Sequence, residues 1–215
     1  MQEVTIEVLT NIVVDVMEEM GLLGNLVPTG ISARHVHLTR EHIDLLFGKG
    51  HQLTALKPLS QPGQFAANET VNLVGPKGSI QKVRVLGPER SQSQVEVAQS
   101  DARRLGITAP VRSSGKLAGS PGILLQTPAG EVKLNQGVII PDRHIHMTPA
   151  DAARFGVKDG EKVSVSVSGE KGGRMENVTI RVSEQYALDF HIDTDDANAF
   201  LIRQGQMARV KKADT

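Results

Sequence analysis

The sequence has no cysteine, no tryptophan and a single tyrosine among its 215 residues. Without cysteine there can be no disulfide framework, thiolate metal site or cysteine nucleophile, so any transition-metal site must be built from His, Asp and Glu. The scarcity of aromatic side chains removes the stacking platforms on which single-stranded nucleic acids are held. A charge excess is missing as well: 24 Lys+Arg balance 24 Asp+Glu, so no global field points to nucleic acid or to a membrane surface. There is no apolar run of membrane-spanning length, and the N-terminus carries Glu3 and Glu7 where a secretory leader would be basic, which makes a cytoplasmic location the expectation. No glycine-rich loop ending in Lys-Ser/Thr is present, which leaves nucleotide hydrolysis without support.

What the chain does have is patterned histidine. Four of its seven histidines fall in two nearly identical phrases, Arg34-His35-Val36-His37-Leu38-Thr39 and Arg143-His144-Ile145-His146-Met147-Thr148. On a strand, residues i and i+2 share a face, so each pair can present two imidazoles to one point. A lone His-x-His is an ordinary strand with polar outward positions, but duplication of the whole phrase is harder to ascribe to chance.

The periodicity divides the chain. Residues 1–22 read as an amphipathic helix, with Ile6, Leu9, Val13, Val16, Met17 and Met20 on one stripe, broken by Gly21, Gly24 and Pro28. From Val27 to about Val210 short β-type runs take over, among them Val83–Leu86, Val163–Val167 and Val178–Val182, separated by Gly/Pro turns. Many short strands with brief helices predict compact β-barrels.

Sliding the chain on itself extends the repeat: Val95–Ala102 aligns with Ile145–Ala152, and Phe190–Ala197 is a weaker further copy. Each reads as a strand followed by a capped short helix, the copy around His37 fitting less well after Arg40. In this frame the position of His37 holds Glu96, His146 and His191 in the other copies. With His35 and His144 two residues earlier, six side chains suffice for two three-ligand sites, and three ligands plus an open position is the pattern of catalytic zinc. His42 and His51 lie outside the frame. Gly30, His35, His37, Glu41 and Gly48 also approximate a first cupin signature, which keeps a metal-dependent oxygenase or isomerase as an alternative. That signature has one residue too few between Gly and His, lacks its second motif, and leaves the repeat unexplained.

Several long phrases resemble the phosphate propanoyltransferases (phosphotransacylases): Gly30–Leu38, Leu59–Ala67, Asn72–Gly78, Val85–Val97, Arg143–Met147 and His191–Asn198. The resemblance runs in order through nearly all of Val27–Val210. It implies an enzyme that interconverts propanoyl-CoA (or acetyl-CoA) and phosphate with acyl phosphate and coenzyme A. It also implies a mainly β fold of two similar barrels capped by short helices, with a di-zinc centre between them. Residues 25–141 would form mostly one barrel with the first HxH. Residues 142–215 would form most of the other, completed by the strand near 27–34, and residues 1–24 would be helix and linker. Position by position, His35, His37 and Glu96 match the ligands of one zinc, and His144, His146 and His191 those of the second.

The resemblance further assigns Arg90 to phosphate and Ser114, in the loop Arg112-Ser-Ser-Gly-Lys116, to coenzyme A. A guanidinium fork suits phosphate oxygens, and this loop combines hydroxyls, a glycine and two cations. It implies that the N-terminal segment is an encapsulation peptide directing the enzyme to shell proteins and the lumen of a bacterial microcompartment, as in propanediol degradation. A homo-oligomer is expected.

Overall fold

The computed structural model describes residues 24–212 together with Val13 and Val16. The fold is mainly β and comprises two sheets. Strands β1 (Leu26–Ser32), β11 (His144–Met147), β12 (Lys162–Val167), β13 (Gly173–Val182), β14 (Asp189–Asp193) and β15 (Met207–Lys212) close into a barrel in the order β1-β14-β11-β13-β12-β15. The remaining nine strands form the second sheet. These are β2 (His35–His37), β3 (Ala55–Pro58), β4 (Phe65–Val74), β5 (Ser79–Gly87), β6 (Gln94–Glu96), β7 (Val111–Arg112), β8 (Ile123–Gln126), β9 (Glu131–Leu134) and β10 (Val138–Pro141). Its path is β7-β10-β6-β2-β5-β4-β8-β9, with β3 beside β4.

The sequence sets these strands by period-two alternation. In β15 Ala208 and Val210 point inward while Met207 and Arg209 face solvent, and β9 buries Val132 and Leu134 between exposed Glu131 and Lys133. The inward residues build two separate cores, one around Ile145, Met175, Ile180 and Phe190, the other around Leu38, Leu73, Val85 and Leu125.

The two sheets are copies of one design. The β11 strand runs antiparallel to β14 and parallel to β13, and β2 stands in the same relation to β6 and β5. Likewise β1 lies parallel to β14 as β10 lies parallel to β6. They differ in closure. β1 pairs with β15 to complete the first barrel, whereas in the second sheet β10 meets the chain just ahead of β8, where the Val138 N–H donates to the Pro121 carbonyl at 3.0 Å. Proline has no N–H to return, so the ladder stops there and the second sheet stays a curled half-barrel.

A short helix follows each of the four repeat strands: α1 (Arg40–Phe47), α2 (Gln99–Leu105), α3 (Pro149–Phe155) and α4 (Thr194–Phe200). Thr39, Thr148 and Asp193 accept N–H bonds at three of the starts, and Ala98 starts α2 without a side-chain cap. The copy around His37, which fits the sequence frame less well after Arg40, has the same order of strand and short helix as the others. No helix among the described residues is long and apolar enough to cross a membrane. The predicted helix over residues 1–22 lies outside the described residues except at Val13 and Val16, which are helical and 54% and 46% exposed.

Candidate active site

The repeat strands place their polar residues in register. Across the β2/β6 pair His35 stands opposite Glu96 and His37 opposite Gln94; across β11/β14 His144 stands opposite His191 and His146 opposite Asp189. Each sheet thus carries a quartet on one face, formed by residues i and i+2 of two antiparallel strands. Within each quartet three side chains converge: the ligand-type atoms of His35, His37 and Glu96 lie within 4.8 Å of one another, as do those of His144, His146 and His191. Among the described residues these are the two such groups. His42 contacts Ser93 Oγ at 2.6 Å and His51 contacts Glu69 at 2.9 Å, and neither joins them. Glu41, the cupin-type acid, is exposed on α1.

Both triplets line one cavity of about 640 Å³ between the sheets. Arg84, Arg90, Arg181 and Lys57 lie on its wall with Ser114, while Glu96 and Asp142 supply its carboxylates. A chain with no net charge therefore concentrates cations where a polyanion would sit. Loop residues from the second sheet reach over the first barrel: the Ser60 hydroxyl donates to Asp189 Oδ2 at 2.5 Å, and Gln61 brackets Ala187, donating to its carbonyl at 2.9 Å and accepting from its N–H at 3.2 Å. Beside that clamp, the Tyr186 ring lies 4.2 Å from the His146 ring.

The imidazoles are prepared as ligands. His35 Nδ1 and His144 Nδ1 donate to the carbonyls of Ala33 and Asp142 at 2.8 and 2.7 Å, which fixes the tautomer and turns each Nε2 inward. His37 Nδ1, His146 Nδ1 and His191 Nε2 are buried without a hydrogen-bond partner, a costly state unless something else meets their lone pairs. His191 Nε2 lies 3.2 Å from the Asp189 carboxylate but is not aligned for a hydrogen bond. Burial, reinforced by neighbouring imidazoles, pushes the pKa of His37 down to about 3, of His144 to about 4 and of His146 to about 2. All three are neutral near pH 7 and can offer lone pairs without losing a proton. Burial also opposes charge on His35 and Glu96, yet their mutual attraction wins: His35 rises above its ordinary value, and Glu96 stays well below the usual carboxylate range. His35 Nε2 and Glu96 Oε2 are 3.3 Å apart. Two ligands held at about 2.0–2.1 Å in a tetrahedron are separated by about 3.3–3.4 Å, so the pair fits zinc-type coordination.

The two arginines of the His-x-His phrases have a different task. Arg34 Nε donates to Asp101 at 2.8 Å, and Arg143 holds Asp196 through Nε and Nη2 at 2.9 and 2.6 Å. Asp101 and Asp196 lie in the first turns of α2 and α4, so these pairs fasten each helix to the start of the neighbouring His-x-His strand. Arg90 and Ser114, which the sequence assigned to separate ligands, are in contact: Arg90 Nη1 donates to Ser114 Oγ at 3.1 Å.

Gln94 and Asp189 escaped the sequence reading, although a signal existed. They stand two residues before Glu96 and His191, the places taken by His35 and His144 in the other copies, so carrying the alignment two residues further back finds them. Ser60, Gln61, Arg181 and Tyr186 left no such trace: Ser60 and Gln61 reach the cavity through the packing of one sheet on the other, whereas Arg181 stands opposite His146 in the β11/β13 pair and Tyr186 lies against the His146 ring, both through pairing of segments distant in the chain.

Two barrel-like sheets that bring paired His/Glu triplets and a cation-rich wall to one cavity define a β-sheet enzyme for an anionic substrate. The profile of the phosphate propanoyltransferase family matches residues 28–203. A phosphate propanoyltransferase of Rhodobacter capsulatus is 54% identical over 187 residues, 87% of each chain. That of Thermotoga maritima is 53% identical over 182 residues, 84% of this chain and 87% of its own. That of Lachnoclostridium phytofermentans is 49% identical over 213 residues, 98% of this chain and 100% of its own. The chain belongs to the phosphate propanoyltransferase family and is an acyltransferase.

Proposed function

We propose that this chain transfers a propanoyl group between coenzyme A and phosphate, with acetyl as the smaller alternative, at the cavity shared by the two triplets. The observation that carries this reading is the convergence of two ligand-type triplets and the Arg90–Ser114 pair on that cavity. A phosphate oxygen attacks the thioester carbonyl, the carbonyl oxygen takes up negative charge, and the C–S bond breaks to give acyl phosphate and thiolate, which is protonated to free coenzyme A. Arg90 binds the phosphate through its fork and compensates charge as the bond forms. The 112–116 loop and the cationic wall hold the coenzyme. Tyr186 packs against His146, and the Ser60–Gln61 loop covers that side, excluding water from the thioester.

His35, His37 and Glu96 would hold one zinc ion, and His144, His146 and His191 a second; the unpartnered imidazole nitrogens and the 3.3 Å His35–Glu96 separation fit them. When bound, zinc supplies Lewis-acid polarisation of oxygen and a soft site for the coenzyme sulfur.

Residues 1–24 form, in this reading, a separate leader; 25–141 and 142–215 are the two halves of the enzyme. Residues 1–22 dock onto microcompartment shell proteins and place a homo-oligomeric enzyme in the lumen; the exposure of Val13 and Val16, two residues of the apolar stripe, supports their availability to a partner. The test of the chemistry is thiol detection combined with metal analysis. Release of free thiol from propanoyl-CoA only when phosphate or arsenate is added, by protein carrying two zinc ions per chain, is the expected result. No phosphate-dependent release, or iron or manganese in place of zinc, would overturn it.

A further inference from the structure

We propose that Asp189 is the positioning residue for His191: its carboxylate accepts the Nε2–H of that ring and so turns the Nδ1 lone pair to the second metal position, with Ser60 holding the carboxylate in place. The inference rests on the zinc reading above. Asp189 and His191 are residues i and i+2 of β14, yet His191 lines the cavity while Asp189 is buried off its wall. Gly30 is the strand partner of His191 on β1, and a Cβ there would come within 2.7 Å of Asp189 Oδ2, so the carboxylate fills the room that the glycine leaves. Among the described residues Ser60 gives Oδ2 its one aligned hydrogen bond, and His191 Nε2 stands 3.2 Å from the same oxygen. Of the three unpartnered ring nitrogens, His191 Nε2 is the one with a carboxylate beside it.

A carboxylate only accepts, and a neutral imidazole carries its proton on one nitrogen or the other. A buried carboxylate with a single neutral donor calls for a second, so Asp189 selects the tautomer with the proton on Nε2. The distance is that of a hydrogen bond, and only the direction is off. Nε2 is closed off, whereas Nδ1 is open to the cavity and then carries the lone pair. His144 is the reverse case, with its Nδ1–H on the Asp142 carbonyl and its Nε2 turned inward. The first sheet makes the same arrangement with the polarity exchanged. Gln94 stands two residues before Glu96, as Asp189 stands before His191, and the Gly115 N–H donates to its side-chain carbonyl at 2.7 Å, which fixes the amide nitrogen on the other side. That nitrogen donates to Glu96 Oε1 at 2.5 Å and to Ser114 Oγ at 2.8 Å. A carboxylate ligand is met by a donor in one sheet and an imidazole ligand by an acceptor in the other, as orientation of ligands requires and mere filling of space does not.

Tautomer and zinc affinity can both be read without turnover. In the zinc-loaded full chain, labelled with nitrogen-15 on its histidines, ring correlation spectra are expected to show His191 with its proton on Nε2 and Nδ1 as the ligand. Asp189→Asn, which keeps the shape and loses the charge, should weaken the second zinc about 10- to 100-fold in competition with a chelator, while the zinc at His35, His37 and Glu96 stays within about twofold of the wild type. Ser60→Ala should weaken the same second zinc about threefold to tenfold, and it keeps the test open should Asp189→Asn fail to fold. The double variant Ser60→Ala/Asp189→Asn should bind it no more weakly than Asp189→Asn alone, because Ser60 acts through Asp189. A His191 ring protonated on Nδ1, or a second zinc held as tightly by both single variants as by the wild type, would overturn the inference and leave the zinc reading standing. Wild-type protein that takes up no zinc at His144, His146 and His191 would remove the zinc reading itself, and this inference with it.

Discussion

Glu96 and His191 occupy equivalent positions in the two sheets, opposite His35 and His144, and they differ by a full charge. The first triplet is held together by its own ion pair and becomes anionic once His35 gives up its proton, as ligation requires, while burial keeps His144 and His146 of the other neutral. A dication would be half neutralised at the first and fully charged at the second, so the second triplet is the more electrophilic place for an anionic group. Arg90 stands by this asymmetry: burial lowers its pKa, the Glu96 carboxylate raises it, and Arg181 across the cavity lowers it again. A guanidinium keeps its charge under such conditions and keeps a planar fork as well. Arg90→Lys preserves the charge and loses the fork, so the KM for phosphate should rise about tenfold, with kcat falling too if the fork follows the charge into the transition state. Metal content should stay at the wild-type level. Steady-state kinetics in both directions with parallel metal analysis check this, and wild-type constants would dismiss the role of Arg90.

The recurring element is a strand of three to five residues followed by a helix of seven or eight. Helices this short are not stable alone, so each must be held by its cap and its neighbours. At α3 the hold is a complete capping box, with Thr148 Oγ1 accepting from the Asp151 N–H and the Asp151 carboxylate accepting from the Thr148 N–H, each at 3.1 Å. At α2 the cap residue is Ala98, and the Arg34–Asp101 pair does the fastening instead. Thr148→Ala should therefore cost about 1 kcal/mol in urea unfolding, leaving the triplets assembled. A loss well under half that value would mean that packing of Phe155 and Ala152 on the barrel core holds the helix without its cap.

For the molecule as a whole, the cavity is a product of assembly. Each sheet supplies one triplet, Arg90 and Ser114 come from the second sheet, and Arg181 and Tyr186 come from the barrel. The sheets are joined side by side through α2 and α4, where Ser100 donates to Asp195 through its N–H at 2.8 Å and its hydroxyl at 2.7 Å, and across the cavity by the Ser60–Gln61 loop. Every residue named in this construction lies C-terminal to residues 1–22. Deletion of that segment should leave phosphate-dependent thiol release within about twofold of the full chain and abolish recruitment to shells. Fused to a fluorescent protein, the segment should form puncta only in cells that make shell proteins; diffuse fluorescence there, or loss of folded enzyme on deletion, would mean that the helix packs on its own enzyme.

The sequence by itself determined the β class, the repeat and the six ligand-type positions. These depend on spacing along one strand, and a strand's period of two is a local property. It also marked Arg90 and Ser114, but by family likeness, and gave them to different ligands. Only the tertiary structure put the two in hydrogen-bond contact, turned Gln94 into their link to Glu96, and gave the arginines of the His-x-His phrases to helix fastening. The closure of one sheet and the curl of the other were likewise out of reach, since they hinge on whether β15 or the Pro121 segment meets the far edge. Those outcomes depend on residues far apart in the chain, such as Ser60 and Asp189, whose contact is set by how two finished sheets pack and leaves no mark in either local sequence.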